Sequence, residues 1–193
     1  MTEILDQSFD NDSDYQLLGY PGYEWVDHPF TPSADGFCTR LSAKLQLYTG
    51  SPTGHIECFL YSDNAGVPGS LLATFTTILA NSVSGGSYVF YDFTCDISIA
   101  YNMTTGVVYH HVTKWTDGNQ SASNFFIWSG AGNGVPNTAG HSSNGSSWTY
   151  YTANHFNHSF REYYTVGFVP PTPTTNYLKH YRRTRFPGSI TGI

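Results

Sequence analysis

The feature that most constrains this chain is a strict two-residue period over residues 41–48, where Leu41, Ala43, Leu45 and Leu47 alternate with Ser42, Lys44, Gln46 and Tyr48. Successive side chains of an extended strand point to opposite faces, so the pattern places one face in a core and the other in water. A helix would scatter the same leucines around its circumference. Ile56, Cys58 and Leu60 repeat the period around Glu57, and the intervening TGSPTG is a turn by composition.

The alternation of apolar run and reversal continues along the chain. After HIECFLYS, the stretch DNAGVPGS supplies the Asp, Asn, Gly and Pro of a reversal before LLATFTTI. NSVSGGS leads into YVFYDF, with Val89, Tyr91 and Phe93 on one face and Asp92 on the other. DISI, the turn NMTTG, VVYHHVTKW, the turn TDGNQSAS and NFFIW follow. Residues 129–147 are almost wholly small and polar and read as a long loop, functional or mobile. Strands at about 147–152 and 160–169 close the series, with Tyr164, Val166 and Phe168 expected inward. With 17% aromatic residues, 19 glycines and only 11% charged residues, the composition suits short strands and tight turns rather than helices. The expectation is an all-β chain, one antiparallel β-sandwich of about eight strands spanning residues 28–169.

Two ends flank that body. Residues 1–27 form an acidic N-terminal arm and lead-in carrying Glu3, Asp6, Asp10, Asp12 and Asp14, with no basic residue among the first fourteen. Residues 170–193 begin with Pro170, Pro171 and Pro173, which cannot continue a ladder, and carry half of the chain's eight Lys and Arg residues. This basic, aromatic C-terminal arm is expected to dock on a partner through Tyr177, Lys179, Tyr181, Arg182, Arg183, Arg185 and Phe186. A net charge of −6 gives no basic face for nucleic acid. No apolar run reaches the ~20 residues that span a bilayer, and the first residues lack the pattern of a secretory leader.

Enzymatic signatures are sparse. The chain has no G-x-S-x-G elbow, no H-E-x-x-H and no P-loop, so no catalytic residue is assigned. Cys38, Cys58 and Cys95 sit in apolar runs and read as buried thiols. Of the eight histidines, His110 and His111 are strand neighbours that face opposite sides and cannot converge on one ion. Asp63 and Asn64 have oxygens suited to Ca²⁺, but the turn they sit in explains them, and no metal or other cofactor is expected. Sugar rings stack their C–H faces on aromatic rings, which makes Trp115, Trp128, Trp148, Tyr150 and Tyr151, flanking the long loops, the candidate glycan site.

The run FTPSADGFCTRLSAKLQLYTGSPTGHIECFLYSDNAGVPGSLLATFT resembles the β-sandwich module called choice-of-anchor R, in which GSPTG and LYSDxxGxPGxLLAT recur in this order. YVFYDF, TTGVVYHHV, NFFIW and SSNGSSWT follow in the same order, so the resemblance covers about residues 28–169. It implies a jelly-roll-like sandwich of the kind found on bacterial surface proteins and phage virion proteins, with no catalytic motif. Two departures matter: the leader and anchor of surface members are missing, and FREYYTVGF replaces the family's last strand. The resulting expectation is a non-enzymatic phage virion structural protein, a head-decoration or tail-associated module assembled in the host cytoplasm. Its partners would be other virion proteins, copies of itself and host surface glycans, without nucleic acid or membrane insertion. The alternative is a carbohydrate-binding or adhesin module of a bacterial surface protein.

Overall fold

The structure, a computed structural model, describes residues 2–132, 139–150 and 156–167, with only the backbone of Phe156. Within them lie fifteen strands, numbered along the chain, and a single 3-10 turn at Ala80–Ser82. The first sheet contains β1 (Glu3–Phe9), β2 (Asp14–Leu18), β4 (Gly36–Thr49), β8 (Val89–Thr94), β9 (Asn102–Met103), β11 (Phe125–Gly132), β14 (Phe156–His158) and β15 (Phe160–Thr165). The second contains β3 (Trp25–Phe30), β5 (His55–Asn64), β6 (Val67–Thr74), β7 (Ile78–Leu79), β10 (Tyr109–Thr116), β12 (Gly140–Ser142) and β13 (Thr149–Tyr150). Every pairing between these strands is antiparallel. The chain switches sheets repeatedly, at β2–β3, β3–β4, β4–β5, β7–β8, β9–β10, β10–β11, β11–β12 and β13–β14, the interleaving of a jelly-roll-like sandwich.

Periodicity and burial agree in the long strand β4. Leu41, Ala43 and Leu45 are wholly buried and meet Val26, Ile56, Cys58, Leu60 and Trp115 of the facing sheet in one core. β4 is also the organiser of its sheet. One of its edges holds β8 and β9, while the other holds β15 along residues 37–43 and β11 along residues 45–49. β14 carries the line of β15 across to β11, and Ser159 between them bonds to both neighbours: its N–H donates to the Ser129 carbonyl, and its own carbonyl accepts from Lys44 N–H.

Three expectations change. The sandwich takes in the first thirty residues: β1 closes the sheet against β15, β2 lies against β11, and β3 is central in the other sheet. Leu18 and Val26 are wholly buried there. The acidic residues that made this stretch read as an arm are neutralised by the body, because Lys44 Nζ lies 2.6 Å from Asp10 and 2.7 Å from Asp12. Arg40 likewise bridges Glu3 and Asp92 at 2.5 and 2.8 Å. Within the loop expected at 129–147, residues 129–132 belong to β11, where small side chains let Ser129 and Gly130 pair tightly, and Gly140–Ser142 form β12, while residues 143–147 are loop as expected. Finally, Tyr164 does face the core, but Val166 is exposed, because β15 ends at Thr165 and Gly167 follows with φ +77°. Phe168 and the segment 170–193 lie outside the described residues.

Cys38 and Cys58 are buried free thiols as expected, and Cys95 is half-buried. Among the described residues no helix is long and apolar enough to cross a membrane.

Candidate functional site

Two of the five aromatic glycan candidates belong to the core. Trp115 is 1% exposed and its indole N–H donates to the Thr53 carbonyl at 2.8 Å. Its ring is gripped by two glycines: a methyl group on Gly19 or Gly118 would fall within 2.1 or 2.2 Å of it. Trp128 is wholly buried, stacks on His158 at 4.2 Å and donates to the Ser159 carbonyl at 2.8 Å. Neither ring can offer a face to a sugar. The reason is strand period: positions 126 and 128 of β11 and position 115 of β10 point between the sheets. Trp148 and Tyr150 are half-buried, Tyr150 on the outward side of the second sheet, and Tyr151 lies outside the described residues. The docking residues Tyr177, Lys179, Tyr181, Arg182, Arg183, Arg185 and Phe186 lie outside them too.

The charged centre of the molecule is elsewhere, on the outward side of the second sheet. β10 runs between β3 and β5, and its register sets Val112 opposite Asp27 and His110 opposite Tyr61. Asp27 on one flank and Asp63 on the other are therefore diagonal neighbours of His110, within reach of its ring. His110 Nδ1 lies 2.9 and 3.0 Å from the two Asp27 oxygens, and Nε2 lies 2.9 Å from Asp63 Oδ1. The Tyr150 hydroxyl, delivered by β13, donates to Asp27 Oδ2 at 2.8 Å. Carboxylates only accept, so both ring nitrogens must carry protons for both contacts to be hydrogen bonds.

Electrostatics follow from this geometry. Burial by itself pulls the His110 pKa down, but the bonds and charges of Asp27 and Asp63 outweigh it and hold the imidazole above its ordinary value. Burial is the largest influence on Asp27 and pushes its carboxyl up, against the opposing pull of His110 and Tyr150. Tyr150 is raised by burial and then by the neighbouring Asp27 charge.

Above Asp63 opens a polar cleft of about 480 Å³, walled by the β5–β6 hairpin and by Gly145 and Ser146. Its walls are held by their own backbone. Asp63 Oδ1 accepts the Gly66 N–H at 2.9 Å, and Ala65 and Gly66 both have positive φ, as a tight hairpin turn requires. The turn reading of Asp63 and Asn64 thus accounts for these residues. Ser142 Oγ and Asn144 Oδ1 cap the facing loop through the N–H groups of residues 144–147. Gly145 sits where a methyl group would strike Trp25 at 2.9 Å. His110 itself is sealed, so a ligand in the cleft would meet Asp63 and serine hydroxyls and not the imidazole.

His111 points the other way, as the strand period demands, and packs against Trp128 at 4.9 Å. His28 and His158 join it in the core, with rings 5.8 Å apart. Among the described residues no three His, Cys, Asp or Glu side chains converge as metal ligands. Sequence reasoning missed the Asp27 relay. Its one visible signal was an Asp inside the otherwise apolar run WVDHPF, where a buried charge demands a partner.

No family model matches this chain, and no curated protein matches it. The resemblance to choice-of-anchor R modules therefore rests on the quoted motifs alone.

Proposed function

We propose that this chain is a non-enzymatic structural module displayed on a phage particle. The observation that carries the non-enzymatic part is the state of its chemistry-bearing side chains. His110 is clamped at both nitrogens, His28, His111 and His158 are buried among core aromatics, and Lys44 and Arg40 are each tied to two carboxylates. Groups spent in this way hold a scaffold rigid and leave no nucleophile and base poised together among the described residues. The placement on a particle is supported by the sequence resemblance and by the basic, aromatic residues 174–193, whose arginines and tyrosines suit capture of an acidic protein surface.

The test is incorporation. Gold-labelled antibody against this protein should decorate purified phage particles in electron micrographs. Deleting residues 174–193 should remove the label while the isolated protein keeps its unfolding transition. Unlabelled particles from the full-length gene, or normal incorporation of the truncated chain, would each overturn the reading.

A further inference from the structure

The outward side of the first sheet carries a feature that the sequence reading did not assign. Tyr48, near the end of β4, and Tyr15, near the start of β2, are 56% and 44% exposed, the two most exposed aromatic rings of the described body. They stand 6.2 Å apart with planes inclined by only 31°. Between their strands lies Ile127 of β11, an outward residue that is nevertheless 3% exposed, so the face here is apolar and covered. Tyr48 is set rigidly from beneath: it stacks on Phe125 at 5.0 Å and 20°, and Phe125 is in turn held edge-on by Tyr20 at 5.3 Å.

Polar groups frame this pair. Tyr88, two residues before the outward Phe90 of β8, is half-buried, and its hydroxyl lies near enough to Asp12, Tyr15 and Asp14 for their charge to add to burial in raising its pKa. Gln46, on the same side of β4, donates its amide N–H to the Gly85 carbonyl at 3.2 Å. Asp14 and Asp12 supply carboxylate acceptors, and Lys44, which pairs with Asp12, is shared with Asp10.

We propose that Tyr15 and Tyr48 form a binding platform for a neutral hexose-containing glycan. Two exposed tyrosine rings inclined by 31°, one of them with a fixed backing, suit the flat C–H faces of pyranose rings, and stiff aromatics lose little entropy on binding. Carboxylates at the rim can accept from sugar hydroxyls. The acidic rim repels sialylated or sulfated glycans, which commits the site to uncharged ones. The platform lies on the first sheet, away from Tyr150 of the second, and it stands whether or not the module belongs to a phage particle.

The probe is a titration of the full chain with soluble neutral oligosaccharides, maltoheptaose and cellohexaose and an array of neutral and sialylated glycans, read by calorimetry. Wild type should bind at least one neutral glycan and no sialylated one. Tyr48→Ala and Tyr15→Ala should each weaken binding by about tenfold or more, Tyr48→Phe should retain most of it because the stacking face remains, and Trp148→Ala should leave it unchanged. Both alanine positions are exposed, so an unchanged thermal transition will show that loss of binding is not loss of fold. Absence of neutral-glycan binding by wild type, or binding that survives both alanine variants, overturns the proposal.

Discussion

Single residues in this protein take their meaning from which sheet face they occupy. Trp128 and Trp115 look alike to a composition argument, yet each is a core strut whose N–H is consumed by a backbone carbonyl. Trp128→Ala should therefore cost about 3–5 kcal/mol in denaturant unfolding, the range for removing a large buried aromatic. His110 is a different kind of strut. Replacing it by Ala strands the buried Asp27 carboxylate without its cation, and the loss expected is about 3–5 kcal/mol. An Asp27→Leu/His110→Leu double variant should recover part of that, because no lone charge is then left buried. A double-mutant cycle by urea titration measures the coupling directly. Tyr48 shows the opposite lesson, since its exposed ring is the partner of the buried Phe125 and gains a fixed orientation from it.

Among elements, β1 carries the most information about how the edges are managed. It pairs with β15 from Glu3 to Phe9 with a bulge at Asp6, whose carboxylate accepts from the Ser33 N–H and hydroxyl. The bulge also brings Asp6 beside the buried Glu162, whose pKa is pushed up to about 9 by burial and then by Asp6. An irregular, charge-pinned strand suits an edge, because a flat open one would invite pairing with other chains. Lys44 holds the segment after it by reaching Asp10 and Asp12. Partly exposed pairs of this kind are worth about 0.2–1 kcal/mol each. Lys44→Met should therefore leave global stability nearly intact but lower hydrogen-exchange protection of residues 3–9, measured by mass spectrometry, while β10 stays protected. Equal loss of protection in β10 would show that β1 is not an independently opening edge.

For the whole molecule the main consequence is a stability that depends on acid. His28, His111 and His158 are buried in the core, and burial depresses all three, His111 to about 3. A depressed histidine means that the unfolded chain binds the proton first, so stability falls as pH drops below the unfolded value near 6.5. Each contributes up to about 1.4 kcal/mol per pH unit over that window. Three groups act the other way: His110, Glu162 and Asp27, whose carboxyl burial also raises, so that it too favours the fold as pH falls. His110, raised by its carboxylates, stabilises fully below about 6.5 and loses that contribution as pH rises through its folded value. Glu162, held protonated up to about 9, favours the fold as pH falls towards the unfolded value. The three depressed histidines outnumber the two raised carboxyls between about pH 6.5 and 4.5, so the unfolding midpoint should fall across that interval. A denaturant series from pH 7.5 to 4.5 checks it, and a flat or rising midpoint would contradict the buried, neutral state of the trio.

The sequence by itself determined the all-β class and the inward residues of β4 and β5, because side-chain alternation is a local property of extended backbone and needs no partner to be read. It also determined that His110 and His111 part to opposite faces, for the same reason. Only the tertiary structure decided which strands are neighbours, and everything functional here depends on neighbours. Asp27, His110 and Asp63 are far apart in the chain and meet because β10 lies between β3 and β5. The first thirty residues join the sandwich because Leu18 and Val26 enter its core and β1, β2 and β3 pair with β15, β11 and β10, while Arg40 and Lys44 neutralise Glu3, Asp10 and Asp12. Tyr15 and Tyr48 stand side by side because β2 and β4 flank the same strand, a pairing set by the packing of the whole sheet and by no pattern within either strand.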